Sequence, residues 1–170
     1  AIYLATDVIQ SLRSKQAEII KNSFIKSDYD IPYTTIHVGR IQGGETLNIV
    51  PNHSSFIFEI RNSPADNPDD VLEALKSNST EILSKIQKEF PEADAKFEII
   101  NNYPSLDTSS SSEVVSFVGS LIETNDIIKV AFGTEAGLFN QLGIPTVICG
   151  PGSMSQGHQA DEFISLEELK

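Results

Sequence analysis

The sequence predicts a mixed α/β chain in two parts, and three observations carry that prediction. Apolar residues recur at three-and-four spacing from Ile2 to about Ile20 and again from Val71 to Phe90, which marks two amphipathic helices. Thr34–Ile41 and Ser54–Arg61 alternate and are rich in β-branched and aromatic side chains, which marks two strands. The polar run Asn101–Ser112, with a proline inside it, then separates these elements from a second set of apolar segments. The domains are therefore expected at 1–104 and 105–170.

The first helix carries Leu4, Ala5, Val8, Ile9, Leu12, Ile19 and Ile20 on one face. The chain enters it without a capping residue in front, so an upstream segment is expected to be missing. A polar stretch, Lys26–Pro32, leads to the first strand, which Gln42-Gly-Gly44 breaks. Asn48-Ile-Val-Pro51 follows. The second strand then places Phe56, Phe58 and Ile60 on one face and Ile57, Glu59 and Arg61 on the other. Asn62–Pro68 is a turn-rich loop in which Asn67-Pro68 is a helix start. The second helix faces its core with Val71, Leu72, Leu75, Ile82, Leu83, Ile86 and Phe90, and Pro91 closes it. Lys96–Ile100 is expected as a third strand. The order αββαβ is that of a split βαβ, ferredoxin-like lobe whose first strand is missing.

In the second part, Ser112 is placed to cap a helix with the core face Val114, Val115, Phe117, Val118, Leu121 and Ile122. A strand at about Ile127–Phe132 leads into the turn Gly133–Gly137 and a short helix through Leu138, Phe139 and Leu142. Ile144–Cys149 is a short apolar run bounded by glycine and proline, expected as a buried strand. Ser165–Glu168 has the spacing of a capping box, so a helix is expected to begin where the sequence stops and both ends read as cut.

Composition narrows the function classes. Twelve basic against twenty-four acidic residues give a net charge of −12, which repels nucleic acid and anionic membrane. No apolar run approaches the length of a membrane span, and none resembles a signal peptide. Cys149, the single cysteine, reads as a small buried hydrophobe in a reducing compartment, hence a cytoplasmic protein.

Chemistry concentrates in two glycine-flanked turns, Gly133-Thr-Glu-Ala-Gly-Leu-Phe139 and Gly150-Pro-Gly-Ser-Met-Ser-Gln-Gly-His158-Gln-Ala-Asp-Glu-Phe163. A polar loop after a buried strand is where open α/β folds place ligands. Here Gly150, Gly152 and Gly157 let backbone approach closely, His158 supplies an imidazole with Asp161 and Glu162 behind it, and Glu135 lies one strand upstream. A metal or substrate site is expected. His37 and His53 read as solvent-facing, and Cys149 is not expected to act as a nucleophile.

Those turns, with Gly39-Arg-Ile-Gln-Gly-Gly44, Asn48-Ile-Val-Pro51 and Arg61, resemble in order and spacing the M20 metallopeptidase and deacylase family along nearly the whole chain. The resemblance implies a two-zinc amidohydrolase, with cobalt as an alternative metal, in which an inserted ferredoxin-like lid also forms a homodimer. Residues 1 to about 104 are similar to that lid without its first strand, and 105–170 to the C-terminal part of a zinc-peptidase-like α/β catalytic domain. His158 matches a metal ligand. Asn48 and Arg61 match residues that hold the substrate carboxylate, a group a guanidinium grips bidentately. Thr134 and Glu135 match the turn beside the substrate, where Glu135 either meets a cationic substrate or caps the following helix. Gly150, Gly152 and Ser153 are expected to offer donors to substrate. The family's other metal ligands and its general-base Glu have no counterpart in this sequence, so no catalytic residue is assigned within it.

The function implied is removal of an N-acyl group from a small amino acid, with an N-acetylornithine-like substrate foremost. Desuccinylation of diaminopimelate, aminoacylase action and dipeptide cleavage are its neighbours. With one metal ligand the chain alone is expected to be inactive. The competing expectation is a dimerisation or interaction module without catalysis, joined to its symmetry mate along the Thr34–Ile41 edge.

Overall fold

The structure, a computed structural model, describes residues 1–23, 29, 31–64, 66–123, 126–130 and 132–169. It divides into two compact units, Ala1–Ser105 with Ile128–Thr134, and Leu106–Ile127 with Glu135–Lys170. Of the polar stretch at 26–32, positions 26–28 and 30 lie outside the described residues, as do positions 131 and 170 of the later expectations.

In the first unit, α1 (Ile2–Asn22) buries Ala5, Val8 and Leu12, residues three and four positions apart on one face. Two antiparallel strands follow, β1 (Thr35–Gly43) and β2 (Ser54–Arg61). Their register pairs Thr35 with Arg61 at the open end and Gly43 with Ser54 beside the loop. Between Val38 and Arg40 the register slips by one residue. Such a bulge resets the alternation. It lets Ile41 stand opposite Phe56, in phase with the Ile36–Ile60 and Val38–Phe58 pairs, although Arg40 precedes it. Gly43 is required where it stands, because a Cβ there would come 2.8 Å from Ser54 Oγ and 3.0 Å from Ile2 Cγ1.

The second helix, α2 (Pro68–Ile86), begins as the sequence predicts: the Asn67 side chain accepts from the Asp69 N–H at 3.1 Å, and Pro68 occupies the first turn. It buries Val71, Leu75 and Ser79, and the Ser79 hydroxyl is satisfied by donating to the Leu75 carbonyl at 2.7 Å. On its exposed side, a hydrogen bond from Lys85 one turn away holds the Glu81 carboxyl below its usual range. Val8, Leu12 and Leu75 form the core, with Ile36, Val38, Phe56, Phe58 and Ile82 packed against it. Two helices thus cover one face of one hairpin, an arrangement in which each element buries its apolar side on the other layer.

A part-buried polar clasp fixes α1 to the sheet. Gln16 donates from Nε2 to the Thr34 carbonyl at 3.1 Å and accepts from the Ile36 N–H through Oε1. Thr34, 1% exposed, donates to Asp66 Oδ2 and accepts from the Ser63 N–H at 3.0 Å. The mixed α/β chain with an antiparallel hairpin under two helices matches the expected lid.

Three expected strands are corrected. Lys96–Ile100 is exposed and forms no strand; in a split βαβ sheet the last strand lies beside the first, and no described segment stands in that place. Of Ile127–Phe132 the structure keeps one parallel bridge, Lys129 to Tyr29, with the Lys129 ammonium 5.5 Å from the Tyr29 ring centroid. Ile144–Cys149 is neither strand nor buried, and Cys149 is exposed rather than a core residue. Lys96–Ile100 and Ile144–Cys149 have β-propensity but no described neighbour to pair with, and the single Lys129–Tyr29 bridge is not a ladder; propensity without a ladder does not make a strand.

The second unit contains α3 (Glu113–Leu121) and α4 (Ala136–Gln141). Ser112 precedes α3 without a side-chain capping bond, and none of the apolar face predicted for it is buried; Phe117 is 63% exposed. At the far end the Ser165–Glu168 capping box forms reciprocally: the Glu168 N–H donates to Ser165 Oγ at 3.3 Å, and the Ser165 N–H donates to Glu168 Oε2 at 3.4 Å. Among the described residues no helix is long and apolar enough to cross a membrane.

Candidate metal and substrate site

The candidate residues fall in both units, and each unit is described alone. In the second, residues 150–162 run as successive tight turns. Gly152 has φ of 90°, left-handed backbone that suits glycine. The Gln156 N–H donates to the Ser153 carbonyl at 2.9 Å and the Gly157 N–H to the Met154 carbonyl at 3.2 Å. These two turns deliver the chain to His158. Ser153 shares a hydrogen bond with the Ser155 hydroxyl at 2.9 Å, and Gly150, Gly152 and Ser153 are all exposed.

His158 itself has φ of 59°. A left-handed conformation costs a residue with a Cβ on the order of 1 kcal/mol, so something must hold it there. The structure supplies that partner: the His158 N–H donates to Glu162 Oε2 at 2.9 Å. The residue is exposed.

Among the described residues, no three His, Cys, Asp or Glu side chains gather closely enough to hold a metal ion. A catalytic zinc needs three protein ligands. The described donors therefore do not make a complete zinc centre.

Glu135 stands at the start of α4, where its carbonyl accepts from the Leu138 N–H at 2.9 Å. Its side chain makes no capping bond, so the capping role considered for it is not what the structure shows. Thr134 is half-buried and falls in the first unit.

Also in the first unit, Arg61 ends β2 with its guanidinium on Glu59: Nε and a terminal nitrogen each lie 3.0 Å from Glu59 Oε1. Asn48 lies in the β1–β2 loop, exposed, accepting from Thr46 Oγ1 at 2.9 Å. The register separates the two. Asn48 belongs to the loop beyond the Gly43–Ser54 pair, whereas Arg61 pairs with Thr35 at the open end. Seven strand steps put these ends roughly 20 Å apart. Within one chain, Asn48 and Arg61 do not converge on one small carboxylate. His37 and His53 are exposed, as the sequence predicts.

Sequence reasoning noted Glu162 only as a neighbour of His158 and missed its contact with the backbone; the four-residue spacing was the available signal. Gln16 and Thr34 were missed as well. A glutamine one turn beyond Leu12 on an otherwise apolar helix face was the hint that a backbone partner lies opposite.

Against known proteins, the model of the peptidase dimerisation domain of M20 enzymes matches residues 1–87. The chain is 30% identical over 169 residues to a protein of Myxococcus xanthus named acetylornithine deacetylase, covering 99% of this chain and 43% of that one. Proteins of the same name from Aliivibrio salmonicida and Pasteurella multocida are 24% identical over 97% of this chain and 28% identical over 96% of it. Of these two relatives the chain spans 42% and 40%. It thus corresponds to less than half the length of each relative.

Proposed function

The chain belongs to the M20 peptidase family, a family of hydrolases, through its dimerisation domain, and from that premise we propose that the whole protein hydrolyses the amide bond of an N-acylated small amino acid, N-acetylornithine foremost. The observation that carries this reading is the match along 99% of the chain to a protein named acetylornithine deacetylase. The exposed, left-handed His158 between glycine-rich turns supports it.

Each residue has a task in this reading. His158 would hold a zinc ion through one imidazole nitrogen, with cobalt as an alternative. When bound, the metal would polarise the scissile carbonyl and acidify a water. Arg61 grips the substrate carboxylate. It also pairs with the carboxylate of Glu59, a part-exposed ion pair of the kind worth about 0–1 kcal/mol. Gly150, Gly152 and Ser153 offer N–H and hydroxyl donors, Thr134 and Glu135 flank the substrate amine with Glu135 facing its positive charge, and Asn48 makes a separate polar contact. Water adds to the carbonyl carbon, the C–N bond breaks, and acetate and ornithine are released.

The whole protein, stripped with a chelator, should lose N-acetylornithine hydrolysis and regain it with zinc or cobalt. An N-acylated amine lacking the carboxylate should be turned over at least tenfold more slowly, one lost charge-assisted contact being worth about 1.5–3 kcal/mol. Full activity in chelator, or equal turnover of both compounds, would refute the reading. The 170-residue chain alone, holding one ligand position, should show no hydrolysis.

The dimerisation-domain match also supports a homodimer built through the lid, with the β1 edge pairing to a second copy so that the sheet continues across a two-fold axis. Light scattering of this chain should return twice its 18.6 kDa mass. A concentration-independent monomer would count against it.

A further inference from the structure

We propose that the polar run Asn101–Ser112 is a strap fastened at two points, one on each unit, and that Asn62 is its anchor on the first. By composition, rich in Asn and Ser, this is a segment that proteases nick. The structure fastens it instead. Pro104, Ser105, Leu106 and Thr108 are half-buried, whereas Asn101, Asn102 and Asp107 are exposed. The Asn62 side-chain amide donates to Ser105 Oγ at 2.7 Å, and the Ser105 hydroxyl donates back to the Asn62 backbone carbonyl at 3.4 Å. The two residues are 43 positions apart, so this is a tertiary contact and not a turn.

The loop that receives Ser105 is itself rooted in the core. The Ser63 N–H donates to Thr34 Oγ1 at 3.0 Å, that hydroxyl donates to Asp66, and the Thr34 carbonyl accepts from Gln16 on α1. Polar groups joined in such a network hold one another more firmly than isolated pairs do. The second fastening lies in the other unit, where Thr108 Oγ1 donates to the Thr146 carbonyl across 38 positions. The chain passes from the first unit to the second after Ser105, so at this crossing Leu106 and Asp107 stand between the two fastenings. Opening a stretch long enough for a protease requires both to release. Because Asn62 directly follows Arg61, the first fastening also ties the strap to the end of β2 that bears Arg61.

Limited digestion of the full chain with thermolysin, which cuts before leucine, tests this, with fragments quantified by mass spectrometry. Cleavage between Ser105 and Leu106 reports opening of the strap, and cleavage between Ser11 and the buried Leu12 reports unfolding of the first unit. Each rate is divided by that of the same bond in the urea-unfolded variant, which removes any direct effect of a substitution on the protease. Cleavage of a briefly opened segment tracks its open population, and one net hydrogen bond changes that population by about three- to tenfold. Asn62→Ala and Ser105→Ala should each raise strap cleavage by that factor relative to core cleavage. Their double variant should go no further than either alone, since both remove the same bond. Thr108→Val should give a rise of its own that multiplies with Ser105→Ala, since it releases the other fastening. An unchanged ratio of strap to core cleavage in Ser105→Ala or in Thr108→Val, or a double variant equal to the product of its singles, would overturn the proposal. Should Asn62→Ala speed core cleavage equally, Ser105→Ala decides, because it leaves the Asn62 amide on the Ser63 carbonyl. A rise in strap cleavage alone then supports the anchor, and no rise refutes it.

Discussion

His158→Ala in the whole protein should reduce N-acetylornithine hydrolysis by more than a hundredfold and remove bound zinc in step with the activity. The magnitude follows from coordination chemistry. A catalytic zinc held by three protein ligands cannot keep its geometry with two, and even residues that only orient a ligand cost about 10–100-fold when removed. The turns around Gly152 and Gly157 hold backbone to backbone and do not depend on the imidazole, so the variant should retain the fold of the unsubstituted protein. Metal analysis alongside kinetics is the discriminating pair of measurements. An inactive variant still carrying its full zinc would move His158 from ligand to a substrate contact, and an active one would remove it from the site altogether.

Leu12→Ala should destabilise the first unit by about 2–5 kcal/mol, the range for deleting a buried leucine side chain. Leu12 is 2% exposed and sits in the core with Val8 and Leu75, where helix and hairpin meet. Native domains have only about 5–15 kcal/mol in total, so a large share of the stability should vanish in a urea melt of the chain. Tyr3, on the same helix but 87% exposed, is the control: its alanine variant should lie within about 0.5 kcal/mol of the parent. Equal effects at the two positions would show that the helix packs through another face.

These two cases differ in how visible they were beforehand. Leu12 was legible because helical periodicity is local: residues three and four apart share a face whatever lies opposite, so α1 and α2 were placed from their apolar spacing, and β2 from its alternation. The Asn67-Pro68 start and the Ser165–Glu168 box were legible for the same reason, each being completed within about one turn of chain. The glycine-rich turn was legible too, since its glycines, serine and histidine lie within nine residues of one another from Gly150 to His158.

What the chain's own order of residues determined is therefore the part written in short-range terms: two amphipathic helices, an alternating hairpin, and a glycine-relieved turn bearing one imidazole. Tertiary structure alone decided which apolar runs became strands, because a strand is completed by a neighbour distant in sequence. Lys96–Ile100 and Ile144–Cys149 have the composition without the neighbour. It also decided that Asn48 and Arg61 stand at opposite ends of the hairpin, a consequence of register. Composition allows each of these outcomes and several others; only the pairing of particular donors with particular acceptors selects among them.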